Sequence, residues 1–259
     1  MSPAPIDVPG SPLLRVAFTV LTLFVAALFI AGVHWSGRRT LIDAVALRRR
    51  TAIAACLTVL WIAATGLAAA RGVLHFTPPP TMLILFLAII AGAIGLATSG
   101  LGKQLAIGLP LAALVGYQGF RVIVEVLMHR AYVEGLMPVQ MSYSGRNFDI
   151  VTGITALALG GWLVSGTPRR QLVLAWNTLG LVLLANIVTV ALLSAPTPMR
   201  VFMNEPANVW ITRTPWVWLP AVMVFAALVG HVLVYRRLLA EAATDALATA
   251  HSSTVGLTT

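Results

Sequence analysis

The chain has 259 residues, of which 59% are hydrophobic and only 10% are charged, and its mean hydropathy is +0.91. An ordinary soluble domain carries about 25% charged residues, so a soluble, a disordered and a fibrous protein are all excluded. In a soluble protein, the net charge of +9 would indicate a protein that binds nucleic acid. In a polytopic membrane protein it predicts cytoplasmic loops rich in arginine and no nucleic-acid partner.

Seven apolar runs are long enough to cross the bilayer, which takes about 20 residues for roughly 30 Å of hydrocarbon. The sequence therefore predicts an all-α, polytopic membrane helix bundle of about seven transmembrane helices, occupying residues 13–237. A flexible N-terminal lead (1–12) precedes it, and a partly disordered cytoplasmic tail (238–259) follows. The runs cover approximately 14–34, 51–71, 80–99, 105–128, 149–166, 171–194 and 215–235.

The distribution of basic residues between the loops predicts the orientation. Ten lie in the segments that seven crossings would place on one side, against six on the other. Because lysine and arginine collect in cytoplasmic loops, we expect the N-terminus outside and the C-terminus in the cytoplasm of a bacterial inner-membrane protein. The ten are Arg38, Arg39, Arg48, Arg49, Arg50, Lys103, Arg169, Arg170, Arg236 and Arg237.

Small residues at four-residue steps predict close helix packing at two places. The first stripe is Ala91, Gly95 and Ser99 in the third helix, and the second is Thr152, Ala156 and Gly160 in the fifth. The fourth helix is expected to run unbroken from residue 105, with Pro110 in its first turns, where a missing amide hydrogen costs least.

The fourth helix carries three ionisable side chains on one face. Arg121, Glu125 and His129 follow at four-residue steps. At 1.5 Å per residue from residue 105, Arg121 would lie about 25 Å along the helix, at the extracytoplasmic boundary. Polar residues of two outer loops and of the sixth helix are expected at the same level. The predicted binding site is Arg121, Glu125, Arg146, Asn147, Asp149, Asn186, Glu205 and Asn208.

The centre of the membrane, by contrast, is expected to hold almost nothing ionisable, which argues against a proton or sodium pump. His231 is placed near the inner end of the seventh helix, as an interfacial histidine at a different depth from the polar rim.

The leading hypothesis is a polar site at the extracytoplasmic rim that binds a small anionic or lipid-like ligand or a partner subunit. Arg121 would contact the anion, with Glu125, Asn147 and Asp149 orienting it. One alternative is a metal-dependent membrane enzyme, in which His129 with Glu125 and Asp149, and Glu205 as a further candidate, holds a divalent metal. Another is a small-solute transporter with a water-filled path between the fourth, fifth and sixth helices, lined by Asn177 and Asn186. No cofactor is predicted beyond that metal, the partners are the bilayer and a possible membrane protein, and whether the chain is an enzyme stays open.

Several short stretches between Phe120 and Pro220 also form a recognisable set. They include Phe120-Arg121 with Glu125, Pro138-Val139-Gln140-Met141, Gly145-Arg146-Asn147-Phe148-Asp149-Ile150, Asn186-Ile187-Val188-Thr189, Ser194-Ala195-Pro196-Thr197-Pro198, Glu205-Pro206-Ala207-Asn208 and Val217-Trp218-Leu219-Pro220. This third of the chain resembles an uncharacterised family of bacterial seven-helix integral membrane proteins. The resemblance implies the membrane fold and attaches no activity, substrate or cofactor to it.

Overall fold

The computed structural model describes residues 10–40, 43–166 and 168–255, and the side chains of these as far as residue 244. This part of the chain is built from helices and contains no strand. A single 3₁₀ turn, Tyr117–Gly119, joins α5 to α6, and a π-helical turn, Leu219–Val224, leads into α9. The helices are α1 (Pro12–Arg39), α2 (Ala44–Ala70), α3 (Thr81–Thr98), α4 (Gly100–Gly108), α5 (Leu111–Gly116), α6 (Phe120–Val133), α7 (Ile150–Ser165), α8 (Arg170–Leu193) and α9 (Phe225–Val255).

Six helical stretches are long and apolar enough to cross a membrane, which indicates an integral membrane protein. Their outward faces carry many exposed large apolar side chains, more than a soluble monomer tolerates. The expected fifth crossing is shorter, since α7 has 16 residues and spans about 24 Å at 1.5 Å per residue. The six stretches are Pro12–Arg39, Ala44–Ala70, Thr81–Thr98, Leu111–Val133, Arg170–Leu193 and Leu219–Thr244.

The fourth predicted helix is interrupted, so the expectation of an unbroken helix from residue 105 is wrong. α4 ends at Gly108, Leu109 is extended, and the next helix begins after Pro110. Proline has no amide hydrogen to donate and disfavours the helical conformation in the residue before it. The Gln104 side chain fixes α4 at one end of the bundle, because it donates to Ser36 Oγ at 3.1 Å and accepts from Arg50 at 2.6 Å.

Helix α7 packs backbone to backbone against α5 and α6. A Cβ on Gly160 would lie 2.7 Å from Gly116 Cα, and a Cβ on Gly153 would lie 2.7 Å from Val122 N. Thr152 and Ala156 are buried on the same face, so the stripe predicted in the fifth helix is confirmed. The stripe predicted in α3 is wrong, because Gly95 is exposed and a Cβ there would meet no atom of the described chain within 4 Å.

The opposite end of the bundle is joined by Ser11 and Glu134. Ser11 caps α1, and its backbone amide and hydroxyl each donate to the Glu134 carboxylate at 2.7 Å. Burial alone would raise the pKa of Glu134, but the hydrogen bonds from Ser11 and Arg130 outweigh it and hold the pKa below its ordinary value of 4.5. Gly10 to Pro12 of the expected flexible lead are thus held in place, while residues 1–9 lie outside the described chain.

The predicted cytoplasmic tail continues α9 as helix as far as Val255. Arg236 binds the end of α3, where its Nη1 donates to the carbonyl oxygens of Ala97 and, at 3.0 Å, Ser99. This contact places the end of α3 beside α9, at the same end of the bundle as α4. The last four residues, 256–259, lie outside the described chain.

Candidate functional site

Arg121 is the centre of a buried polar network, with 2% of its surface exposed. Its Nε donates to Asp149 Oδ2 at 2.7 Å, and its Nη2 donates to Asp149 Oδ1, so the guanidinium and the carboxylate form a two-pronged ion pair. Nη2 also donates to the carbonyl oxygen of Gly180 at 3.5 Å. Four of the five N–H groups are engaged once the contact with His231 is included.

His231 lies on the other side of the guanidinium, where its Nε2 is 2.8 Å from Arg121 Nη1. Because arginine only donates, Nε2 must accept, which leaves the proton on Nδ1 of a neutral imidazole. Nδ1 then donates to Asn177 Oδ1 at 2.9 Å, while Asn177 Nδ2 donates to the His231 carbonyl oxygen at 3.0 Å. Gly180 makes the space for the ring, since a Cβ there would lie 2.5 Å from His231 Cε1.

Glu125 lies one turn after Arg121 and is 1% exposed. Asn147 Nδ2 donates to Glu125 Oε2 at 2.6 Å and to the Met141 carbonyl oxygen at 3.0 Å. The Asn147 Oδ1 atom accepts from the Asp149 backbone amide at 3.0 Å, which positions the carboxylate that binds Arg121. None of the described residues donates to Glu125 Oε1. The loop between α6 and α7 therefore folds into the bundle and brings the Asp149 carboxylate close to that of Glu125 on α6.

The network lies at the middle of the spanning helices. Arg121 is the eleventh of the 23 residues in Leu111–Val133, and His231 is the thirteenth of the 26 in Leu219–Thr244. The expectation that Arg121 lies at the outer boundary is therefore wrong, because its helix begins after Pro110 rather than at residue 105. The placement of His231 at the inner end is also wrong, and so is the expectation that the middle of the bundle holds almost nothing ionisable.

A cavity of about 80 Å³, open on one side, borders this network. Arg121, Glu125 and Asp149 line it, and the only other polar side chain on its described walls is Asn208. The Nδ2 of Asn208 donates to the Ala191 carbonyl oxygen at 2.9 Å, whereas its buried Oδ1 has no partner in the described chain. Apolar side chains make the remaining walls. They come from Phe76, from α3 (Met82, Leu83, Phe86), from α6 (Phe120, Val124, Met128), from Met141, from α8 (Leu184, Ile187, Val188, Ala191, Leu192), from Ala195 and Ile211, and from the stretch leading into α9 (Leu219, Pro220, Met223, Val224, Ala227).

The other predicted site residues lie away from the cavity. The guanidinium of Arg146 stacks on Phe202 at 5.1 Å, and Asn186 donates to the Arg146 carbonyl oxygen at 2.8 Å. Glu205 pairs with Arg200 at 3.0 Å on an exposed loop. Sequence reasoning therefore found four of the cavity's polar residues, and it also found Asn147, which lies behind Glu125.

His129 is engaged elsewhere, with its Nδ1 2.9 Å from Ser142 Oγ and its ring stacked on Tyr143. It does not join Glu125 and Asp149 on the cavity wall. Within residues 10–255, apart from 41, 42 and 167, no group of three or more His, Cys, Asp or Glu side chains could hold a metal ion. The buried network thus consists of an arginine, two carboxylates, a histidine and two amides, and the described residues form no metal-ligand set.

Sequence reasoning missed His231 and Gly180 as members of the network, and it named Asn177 only as lining a transport path. The available signal for His231 and Asn177 was their position inside apolar helices, where polar side chains are expensive and need partners. With Arg121 expected near the end of its helix, residues in the middle of other helices were not considered as its partners.

Neither the curated proteins nor the solved structures match the chain. A family match covers residues 78–239, which is more than half of the chain and includes Arg121, Glu125, Asp149, Asn208 and His231. Helices α1 and α2 lie outside the matched residues. The chain therefore belongs to the family defined by DUF8737, a domain of unknown function.

Proposed function

We propose that this protein is a multi-pass protein of the bacterial cell membrane that binds a lipid-like amphiphile in the cavity beside Arg121. The observation that carries the proposal is the composition of the cavity wall, which combines long apolar surfaces with one compact group of charged side chains. An amphiphile has the same division, because its chain is apolar and its head is polar.

The proposed topology has seven crossings, with the N-terminus outside. Contacts within the bundle support it, since Arg50, Ser36 and Gln104 meet at one end, and Ser11 and Glu134 meet at the other. The first end carries the dense basic residues, which would make it cytoplasmic. α7 would complete the seventh crossing together with the folded loop that precedes it, since irregular backbone is tolerated at membrane depth where protein surrounds it.

The mouth of the cavity lies between α3 and α8 in this proposal. Leu83 and Phe86 of α3 and Val188 and Leu192 of α8 line the cavity and are only partly buried. In a bilayer such a mouth faces the acyl chains, so a ligand could enter sideways without leaving the membrane. The site thus lies deeper than the extracytoplasmic rim expected from sequence.

The experiment that tests the proposal is photolabelling of the purified protein with a long-chain alcohol that carries a diazirine in its chain. We expect saturable labelling of peptides from α3 and α8, which the unlabelled alcohol competes away. Ala191→Trp should reduce the labelling severalfold, because Ala191 lines the cavity and an indole would fill it.

Ala185→Trp is the matched control, since Ala185 lies on the same helix, is exposed and is absent from the cavity wall. Labelling that is spread evenly over the lipid-facing surface, or that Ala191→Trp leaves unchanged, would refute the proposal.

A further inference from the structure

The charges around the cavity also indicate which kind of head the amphiphile carries. We propose, on the basis of the proposed function, that the ligand has a cationic ammonium head that donates to Glu125, rather than an anionic head held by Arg121. In this proposal Glu125, rather than Arg121, makes the charged contact with the ligand.

Arg121 has little capacity left for an anion. The two-pronged pair with Asp149 uses the face of the guanidinium that normally binds a carboxylate or phosphate. Further contacts to His231 and Gly180 leave a single N–H group without a partner in the described chain. An anion would have to share that group with two nearby carboxylates, and repulsion from both would oppose its binding.

Glu125, in contrast, lacks a cation. The charges of Arg121 and Asp149 offset each other, so an ionised Glu125 would leave the cavity with a net charge of −1, formed by one arginine and two carboxylates. Its Oε1 accepts no hydrogen bond from the described residues, and the Asn147 amide that donates to Oε2 carries no charge. A buried carboxylate is stable when it is paired, and an ammonium group supplies both the charge and the hydrogen bond.

A further feature of the wall suits the same head. Three phenylalanine rings, those of Phe76, Phe86 and Phe120, also line the cavity. The faces of such rings attract cations, and they attract alkylammonium groups in particular.

The test uses three photoreactive probes with the same diazirine-bearing chain and an ammonium, a hydroxyl or a carboxylate head. We expect the ammonium probe to label the cavity of the wild-type protein at about ten- to a hundredfold lower concentration than the carboxylate probe. One charge-assisted hydrogen bond supplies an advantage of that size.

Glu125→Gln should remove most of the preference for ammonium over hydroxyl, because losing the carboxylate charge weakens labelling by the ammonium probe far more than labelling by the hydroxyl probe. The amide oxygen of the new side chain can still accept from Asn147, so the variant retains the local hydrogen bond. Glu205→Gln makes the same chemical change on an exposed loop and should leave all three probes unaffected.

The outcomes separate the two proposals. Stronger labelling by the carboxylate probe, or equal labelling by the ammonium and hydroxyl probes in the wild-type protein, would overturn the cationic head and leave amphiphile binding intact. Saturable labelling of the cavity by none of the three probes would refute the proposed function itself. Because the ranking of heads is measured on the wild-type protein, it does not depend on how well Glu125→Gln folds.

Discussion

Asp149→Asn should destabilise the protein more than the removal of a single charge from an exposed loop. The Arg121 and Asp149 side chains are 2% and 7% exposed, so their pairing energy is not screened by water. Removing one partner of a buried ion pair leaves the other charge uncompensated, which typically costs about 3–5 kcal/mol. We expect a loss of that order in the free energy of unfolding.

A double-mutant cycle isolates the pairing from other effects of the substitution. Arg121→Gln alone should also cost several kcal/mol, because it leaves the Asp149 carboxylate buried without a counter-charge. The double variant Arg121→Gln/Asp149→Asn buries no unpaired charge at this position, so its cost should be smaller than the sum of the single costs by roughly 2–3 kcal/mol. The measurement is equilibrium unfolding in mixed detergent micelles, monitored by circular dichroism.

Glu205→Gln provides the reference, since Glu205 is exposed and its pairing with Arg200 should contribute no more than about 1 kcal/mol. The reasoning is refuted if Asp149→Asn costs no more than Glu205→Gln. It is also refuted if the costs of the two single substitutions simply add, because additive costs would mean that the two side chains do not stabilise each other.

Two further predictions concern packing and pH. Gly160→Ala should cost about 1–3 kcal/mol of unfolding free energy, since its Cβ would lie 2.7 Å from Gly116 Cα, whereas Gly161→Ala, beside open space, should stabilise α7 by about 0.5–1 kcal/mol. Thermal unfolding of the two variants checks the pair, and equal effects would contradict the close helix contact. Because the pKa of Glu134 is held below its ordinary value, its stabilising effect is fully present above about pH 4.5 and is lost as the pH falls through the lower folded value. Glu134→Gln should therefore reduce the loss of unfolding free energy that the wild-type protein shows as the pH falls below about 4.5. An unchanged loss would show that the hydrogen bonds from Ser11 do not stabilise the ionised form.

The apolar periodicity was sufficient to predict the helical architecture. A long apolar run predicts a spanning helix from its length and composition alone, and six of the seven predicted runs correspond to helices long enough to span a membrane. Depth within the bundle was not predictable in the same way, because it depends on where a helix begins. The extended Leu109 before Pro110 moves the start of the fourth crossing by six residues from 105, to Leu111, and about 9 Å of depth follows from that shift.

The partners of the polar residues were predictable only within one helix or one loop. Arg121 and Glu125 share a helix face, and Asn147 precedes Asp149 by two residues, so local spacing brought these pairs together. His231 reaches Arg121 from a helix 110 residues further along the chain. No local pattern encodes that contact, since it depends on how α9 packs and on the space that Gly180 leaves for the imidazole ring.

The cost of the buried network bears on its purpose. Replacing a buried ion pair by apolar residues of similar volume is often neutral or stabilising, so the Arg121–Asp149 pair is poorly explained as a device for stability alone. A pair that served only to hold α6 against α7 would also not need Glu125, since the close approach of Gly153 to Val122 already packs these two helices together. Glu125 adds a second carboxylate at the same depth and leaves one of its oxygens on a cavity wall. In the middle of an apolar bundle, a second carboxylate is expensive, and the proposed ammonium ligand would offset that cost by completing the charge balance, while Asp149 remains paired with Arg121.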